Sequence, residues 1–395
     1  MTSIAIVGAG PSGCFTAQAL GKALPDAVID ILDALPVPYG LVRYGVAPDH
    51  QGTKAVIRQF ERLFERQGVA FFGHVRLGED VTLDQLTGIY DAVVLATGLS
   101  TDRKLGVRGD DLPGVWGSGA VTRCWNDYPD AAAPVIGKQV VIVGNGNVAA
   151  DLVRILAKRD GEFHGSDLSE ANIAALKAAS VGRIDVVGRS PAEQAKFDPV
   201  MIREIGRLED ARIHVHGLTG EGKIIEALAA IDGHAPEGAC REIHFHFGWT
   251  PEEIEGETHV TAARFRQGNA RLVLPCDTVL TAIGFDGDRP ACDEGGAIGP
   301  GLYAVGWFKR GPRGTIPENR SDAQALAARI ASDLGDAGGK PGRAALAALV
   351  PDAVTYEQWQ RIDAAEKADC PVGRVRRKIT TKARMLAIAH QSGDK

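Results

Sequence analysis

Two short stretches carry glycines at a spacing that suits phosphate chemistry. Residues 4–14 read IAIVGAGPSGC and residues 140–152 read VVIVGNGNVAADL. In the first, Gly8, Gly10 and Gly13 form GxGxxG after an apolar run. The first glycine permits a tight turn, the second lets the backbone approach a pyrophosphate, and the third lets helix and strand pack closely. The helix that follows offers N–H groups and a partial positive charge to phosphates. Asp33 ends the next strand-like run, where an acid can hold ribose hydroxyls. In the second stretch Gly144, Gly146 and Ala149 give GxGxxA, with Asn145, Asn147 and Val148 filling the turn. A single such loop makes one nucleotide site. Two of them predict two nucleotides meeting at a shared cleft, a flavin in the first fold and a nicotinamide in the second, unless the second fold is an empty relic of duplication.

The elements that must carry these loops alternate along the chain. SIAIVGAG reads as a buried parallel strand, SGCFTAQALGKAL as a helix and AVIDILDA as a second strand, which makes a βαβ unit. A polar, proline-rich loop follows, then a helix over 54–66 and the strand-like VAFFGHVRLG and YDAVVLATG. KQVVIVGNG restarts the scheme, with a helix over 147–158 and the strands RIDVVGR, REIHFHFG and HVTAARFR, before TVLTAIG and GLYAVGW close it. The expected fold class is α/β, two Rossmann-like dinucleotide-binding domains with the second inserted into the first. The boundaries fall at 1–106 with 299–395 for a discontinuous FAD domain, and 107–298 for the NADP(H) domain. The Gly/Ala-rich 335–349 reads as a surface connection.

Composition excludes several classes. With 44 Lys and Arg against 50 Asp and Glu, the net charge of −6 gives no general pull toward nucleic acid or an anionic membrane. No run of about eighteen apolar residues exists, so no membrane insertion is expected, and a strand begins directly after MTS, which argues against a cleaved signal peptide. Cys14, Cys124, Cys240, Cys276, Cys292 and Cys370 show no CxxC spacing. That points to a reducing, cytoplasmic setting with no structural zinc and no redox dithiol.

Longer motifs carry a resemblance. LPVPYGLVRYGVAPDH (35–50), GNGNVAADLVRIL (144–156), GLYAVGWFKRGPRGTI (301–316) and YEQWQRIDAAE (356–366) together resemble the adrenodoxin-reductase-like class of ferredoxin–NADP+ reductases over nearly the whole chain. The resemblance implies noncovalent FAD, NADPH as electron donor, a small ferredoxin-type iron–sulfur protein as acceptor, and a monomer. It places Ser12, Asp33, Leu41 and Leu77 against FAD, Trp307 beside the flavin, and the backbone of Gly314, Thr315 and Ile316 at the flavin ring. His50, Asp151 and Glu204 match polar residues of the catalytic region, where they would orient nicotinamide or relay the flavin proton. Taken alone, Asp151 could be a first-turn helix acid, His50 a loop residue and Trp307 a core tryptophan.

The chain departs from the family at the NADP phosphate. The strand RIDVVGR ends at Arg189, where the family shows two arginines; here Ser190 and Pro191 follow, and Met201 stands where the family carries a glutamate. An arginine fork grips phosphate in a way serine cannot match, so NADPH is the first choice and NADH a live alternative, with Lys196 or Arg203 able to compensate. GTIPENRSD (314–322) is a second departure. The run PVGRVRRKITTKAR holds Arg374, Arg376, Arg377, Lys378, Lys382 and Arg384 without an acid, a face that would steer an acidic ferredoxin. A dithiol reductase would need a CxxC, a monooxygenase finds no marking feature, and a non-catalytic nucleotide-binding or assembly subunit would have no need of Trp307 beside a flavin.

Overall fold

The computed structural model describes residues 1–335 and 338–391. The chain forms two compact units, one of residues 1–101, 126–130 and 285–395 and the other of residues 102–125 and 131–284. The short segment 126–130 thus returns to the first unit before the second is complete.

The first unit is built on a six-stranded sheet in the order Ala297–Gly299, Leu302–Ala304, Ala92–Leu95, Ser3–Val7, Val28–Asp33, Ala70–Gly73. All neighbours are parallel except the edge pair Ala297–Gly299 and Leu302–Ala304. Ser3–Val7 lies at its centre and is buried at every position, which is why it reads as an unbroken apolar run rather than an alternating one. The helix Pro11–Ala23 packs against the helix Ile316–Leu334, contributed by the far end of the chain.

The second unit repeats the plan with an all-parallel sheet in the order Val115–Gly117, Thr278–Thr281, Gln139–Val143, Arg183–Gly188, Arg241–Phe247, Ala211–His216. An antiparallel sheet of Thr250–Glu255, Ala262–Gln267 and Ala270–Pro275 accompanies it. The α/β class with two dinucleotide-binding folds, expected from the alternating signals, is the observed one.

Three local expectations are corrected. The helix expected over 54–66 is a short turn Gln51–Lys54 followed by a helix Ile57–Arg66. The polar loop after Asp33 is mostly buried: it contains the helix Gly40–Tyr44, and Tyr39, Val42, Arg43 and Tyr44 are all inaccessible to solvent. Aromatic bulk outweighs the turn signals of Pro36 and Pro38, because each buried ring removes a large apolar surface from water. Within the stretch read as a surface connection, Arg343–Leu349 is a helix whose Leu346 is fully buried, while 336–337 lie outside the described residues.

Candidate functional site

In the first unit the glycine loop is fixed by backbone crowding at two of its three glycines. Gly8 takes φ +113°, and a Cβ there would sit 2.5 Å from the Ala96 carbonyl oxygen; a Cβ on Gly13 would run into the carbonyl oxygen of Gly8. Gly10 differs. Its φ of −74° suits any residue, and among the described residues no heavy atom lies within 4 Å of where its Cβ would be. The fold therefore does not require glycine at position 10, whereas a ligand approaching the backbone does. Gly10 caps the N-terminus of Pro11–Ala23, so the open space lies at the positive end of a helix.

Asp33 anchors this loop. Its carboxylate accepts the Ala9 N–H at 2.8 Å and the Leu35 N–H at 2.9 Å. Burial pushes its carboxyl up to about 6, against the opposing pull of these two bonds. Ribose hydroxyls donating to the remaining lone pairs would favour the charged form, so ligand and ionisation support each other.

Residues remote in sequence complete the loop's surroundings. The Tyr39 N–H donates to the Ala9 carbonyl at 2.9 Å, and a Cβ on Gly40 would lie 3.0 Å from the Gly10 Cα. Tyr39 holds a left-handed φ of +83°, fixed by its buried ring against Trp359 and by a 3.1 Å hydroxyl contact with Tyr356. Ser12 Oγ donates to Asn319 Oδ1 at 3.1 Å, and a Cβ on Gly306 would collide with that same Oγ. Asn319 and Gly306 were not singled out from sequence. The only hint of Asn319 was that it lies in the segment departing from the family pattern.

The remaining first-unit residues lie in ordered surroundings. Trp307 opens a short turn Trp307–Arg310, with its ring 5.5 Å from that of Phe285. Its indole Nε1 is buried with no hydrogen-bond partner among the described residues, which suits a site completed by a polar ligand. Gly314 has φ +87°, and Thr315 caps the helix Ile316–Leu334 through a reciprocal bond with Glu318. Ile316 is the first helical residue, so its N–H finds no carbonyl inside the helix. Leu41 lies in Gly40–Tyr44, and Leu77 packs partly buried near Val75 and Val81. His50 precedes Gln51–Lys54, its N–H bonded to the Ala47 carbonyl at 2.9 Å and its carbonyl accepting from Thr53 and Lys54. An open face at Gly10, an acid at Asp33 and an orphaned indole N–H fit a bound dinucleotide.

In the second unit, Gly144 takes φ +137° and a Cβ there would strike the Ala282 carbonyl oxygen, while Gly146 caps the helix Asn147–Ala157. Val148 is exposed on the first turn. Asn145 Nδ2 donates to Ser190 Oγ at 2.8 Å, and Asn147 Oδ1 accepts the Asp198 N–H at 2.6 Å. The Lys196 N–H donates to the Asn145 carbonyl at 2.8 Å. The glycine loop, Ser190 and Lys196 are thereby one structure, with the side chains of Arg189 and Lys196 exposed. Arg203 is also exposed, whereas Met201 packs against the core of the unit.

Asp151 and Glu204 converge on one cation. Arg154, buried, places Nη2 2.7 Å from Asp151 and Nη1 3.6 Å from Glu204. Each carboxylate faces a guanidinium, which suits orienting a ligand better than delivering a proton.

The basic run near the C-terminus is largely engaged inside the first unit. Arg376 binds Asp363 at 2.7 Å and Glu366 at 3.1 Å, Arg377 binds Asp369 at 2.9 Å, and buried Lys378 donates to Asn126 at 3.2 Å. Arg384 remains exposed and Lys382 half-exposed. Much of the charge read as a docking face is structural.

Comparison with known proteins follows the same lines. Residues 2–299 match the family described as pyridine nucleotide-disulphide oxidoreductase. The chain is 43% identical to the cindoxin reductase of Citrobacter braakii, over 98% of this chain and 91% of that protein. It is 33% identical to the NADPH-ferredoxin reductase FprA of Mycobacterium tuberculosis, over 98% of each. The solved structure of Mycobacterium tuberculosis FprA in complex with NADPH superposes with a TM-score of 0.91 at 32% identity, covering 98% of this chain and 99% of that one. Among the described residues no helix is long and apolar enough to cross a membrane.

Proposed function

Because the chain belongs to the adrenodoxin-reductase-like ferredoxin–NADP+ reductases, within the pyridine nucleotide-disulphide oxidoreductases, we propose how its own residues serve that reaction. The enzyme is an FAD-dependent oxidoreductase that passes electrons from NADPH through FAD to an iron–sulfur ferredoxin. Bound FAD would supply the redox chemistry that links a two-electron hydride donor to a one-electron acceptor.

The first unit holds FAD. Gly8, Gly10, Ser12 and Gly13 admit the pyrophosphate to the helix N-terminus, and Asp33 takes the ribose. Trp307 walls the flavin, and the backbone of Gly314, Thr315 and Ile316 lies at its ring, with the Ile316 N–H, which has no carbonyl partner inside its helix, turned to serve it. His50, Leu41 and Leu77 line the same pocket, with His50 able to hold or release a proton at a ring nitrogen. The second unit holds NADPH: Gly144, Asn145, Gly146, Asn147 and Val148 cradle its pyrophosphate, and Asp151 and Glu204, tied by Arg154, orient it. The observation that carries this reading is Gly10, a glycine that faces open space at a helix N-terminus and that the fold does not need.

Arg189, Ser190 and Lys196 meet the 2′-phosphate. Flavin reduction followed by stopped flow, with NADPH and NADH in turn, tests this end of the site. Ser190→Arg should tighten NADPH by roughly tenfold to a hundredfold, the worth of a charge-assisted bond of about 1.5–3 kcal/mol, and leave NADH behind. The lost Asn145 bond affects both cofactors alike, so their ratio is the readout. An unchanged ratio would remove Ser190 from the phosphate site.

The ferredoxin is an acidic one, drawn by the cations that stay at the surface, Lys382 and Arg384 among them. Screening shortens from roughly 30 Å at 0.01 M salt to 8 Å at 0.15 M, so the rate of ferredoxin reduction should fall several-fold over that range. A flat profile would count against electrostatic steering.

A further inference from the structure

Four histidines of the second unit stand outside the site described above. HVH at 214–216 and HFH at 244–246 each put two imidazoles on one face of a strand, since side chains alternate. The strands Ala211–His216 and Arg241–Phe247 are parallel neighbours, and their register pairs His214 with His244 and His216 with His246. The four rings form a ladder. Ring centroids are 4.6 Å apart in the first pair and 4.7 Å in the second, with planes inclined by 14° and 11°.

The ladder is braced at one end and open at the other. His246 Nε2 lies 2.8 Å from Asp185, which Arg183 grips in turn at 2.7 Å. His216 Nε2 lies 3.0 Å from His244 Nδ1 and fixes how the His244 ring is turned. At the open end His214 Nε2 lies 2.8 Å from Glu242 Oε2, and Arg212 holds the other carboxylate oxygen at 3.2 Å. One ligand atom each from His214, Glu242 and His244 fall within 4.8 Å of one another, a compact donor set among the described residues.

We propose that His214, Glu242 and His244 form a binding site for a divalent transition-metal ion of the zinc class. Two imidazoles and a carboxylate are the donors such an ion prefers, and three protein ligands leave a position for water. Metal–ligand bonds of about 2.0–2.2 Å require the three atoms to draw closer by small side-chain rotations. His214 and Glu242, with side chains 44% and 33% exposed, are free to make them. The ion takes the place of the direct contact between His214 Nε2 and Glu242 Oε2. His216 supports His244 from behind, the kind of outer contact that holds a metal-binding imidazole in orientation. A cleft of about 1120 Å³, lined by Arg183, His216, His244, His246 and Trp249 among others, lies against the His244 side of the ladder, while His214 and Glu242 reach solvent directly. The ion clips two neighbouring strands of the nucleotide sheet. The second of these continues to Gly248, whose N–H donates to the Ser190 carbonyl at 3.0 Å.

The test uses the tag-free, FAD-loaded enzyme freed of metal with a chelator. Dialysis against Zn(II) should leave one ion per chain, and Co(II) should give visible absorption to the red of the flavin bands that Zn(II) removes. Glu242→Gln should weaken uptake roughly tenfold or more, and His214→Ala with His244→Ala should abolish it, while both variants keep their flavin. If the double variant fails to fold, Glu242→Gln, which preserves shape, decides the matter alone. Absence of a stoichiometric ion, or uptake that Glu242→Gln leaves unchanged, overturns the site.

Discussion

Gly10→Val yields a chain that folds normally and does not hold its flavin. The variant's Cβ meets no described protein atom within 4 Å and its backbone conformation is open to every residue, so the flavin-free protein should melt close to where the parent's does. What the side chain meets is the bound diphosphate. Overpacking of that kind costs about 1–3 kcal/mol, which weakens FAD by roughly one to two orders of magnitude and gives pale or colourless preparations. Gly13→Ala is the contrasting variant, because its Cβ strikes the Gly8 carbonyl oxygen and unfolds the loop whether or not FAD is present. Flavin titration and melting of the flavin-free forms separate the two. A Gly10→Val protein as yellow as the parent would show that no ligand approaches this backbone.

Glu366→Ala should cost more stability than any surface change. Glu366 is 1% exposed and Arg43 3%, and one Arg43 nitrogen lies 2.6 and 2.7 Å from the two carboxylate oxygens. Arg376 and the Ile379 N–H also donate to Glu366, and the Arg43 guanidinium lies 4.9 Å over the Trp359 ring. Burial alone would lower the affinity of Arg43 for its proton, but the Glu366 charge, its hydrogen bond and neighbouring Tyr44 together outweigh it and hold the guanidinium above its ordinary value. Removing the carboxylate strands a buried cation, a loss of about 3–5 kcal/mol. The melting midpoint of the first unit should drop by roughly 10 °C. Arg43→Met combined with Glu366→Leu should recover much of the loss, since two apolar side chains leave no unpaired charge between them. A drop of only a degree or two in the single variant would mean that water reaches the pair.

This pair shows why part of the molecule could not be read from its sequence. Arg43 sits in a segment with the marks of a polar loop, and its partner stands 323 residues away in the helix Tyr356–Ala368. The basic run at 374–384 reads as a docking face for the same reason: nothing local shows that Arg376 and Lys378 turn inward onto Glu366 and Asn126. The histidine ladder is an intermediate case. REIHFHFG reads as a strand with two imidazoles on one face, but its partner Ala211–His216 carries no such reading, and the register that stacks the four rings comes from the pairing of the two strands across the helix Lys223–Ile231.

The glycine loops, the strands before them and the helices after them were legible because their causes are local. A turn that needs positive φ calls for glycine at Gly8 and Gly144, a parallel strand covered on both faces calls for a continuous apolar run, and both signals lie within a dozen residues. Those features sufficed for the α/β class and for two dinucleotide folds. Folding of the whole chain was needed to bring Asn319 to Ser12, 307 residues earlier, to settle Tyr39 against Ala9, and to divide charges into those buried in pairs and those facing solvent. The physical reason is range. Backbone geometry and hydrophobic period act between near neighbours, while burial and ion pairing depend on which distant segments share the same space.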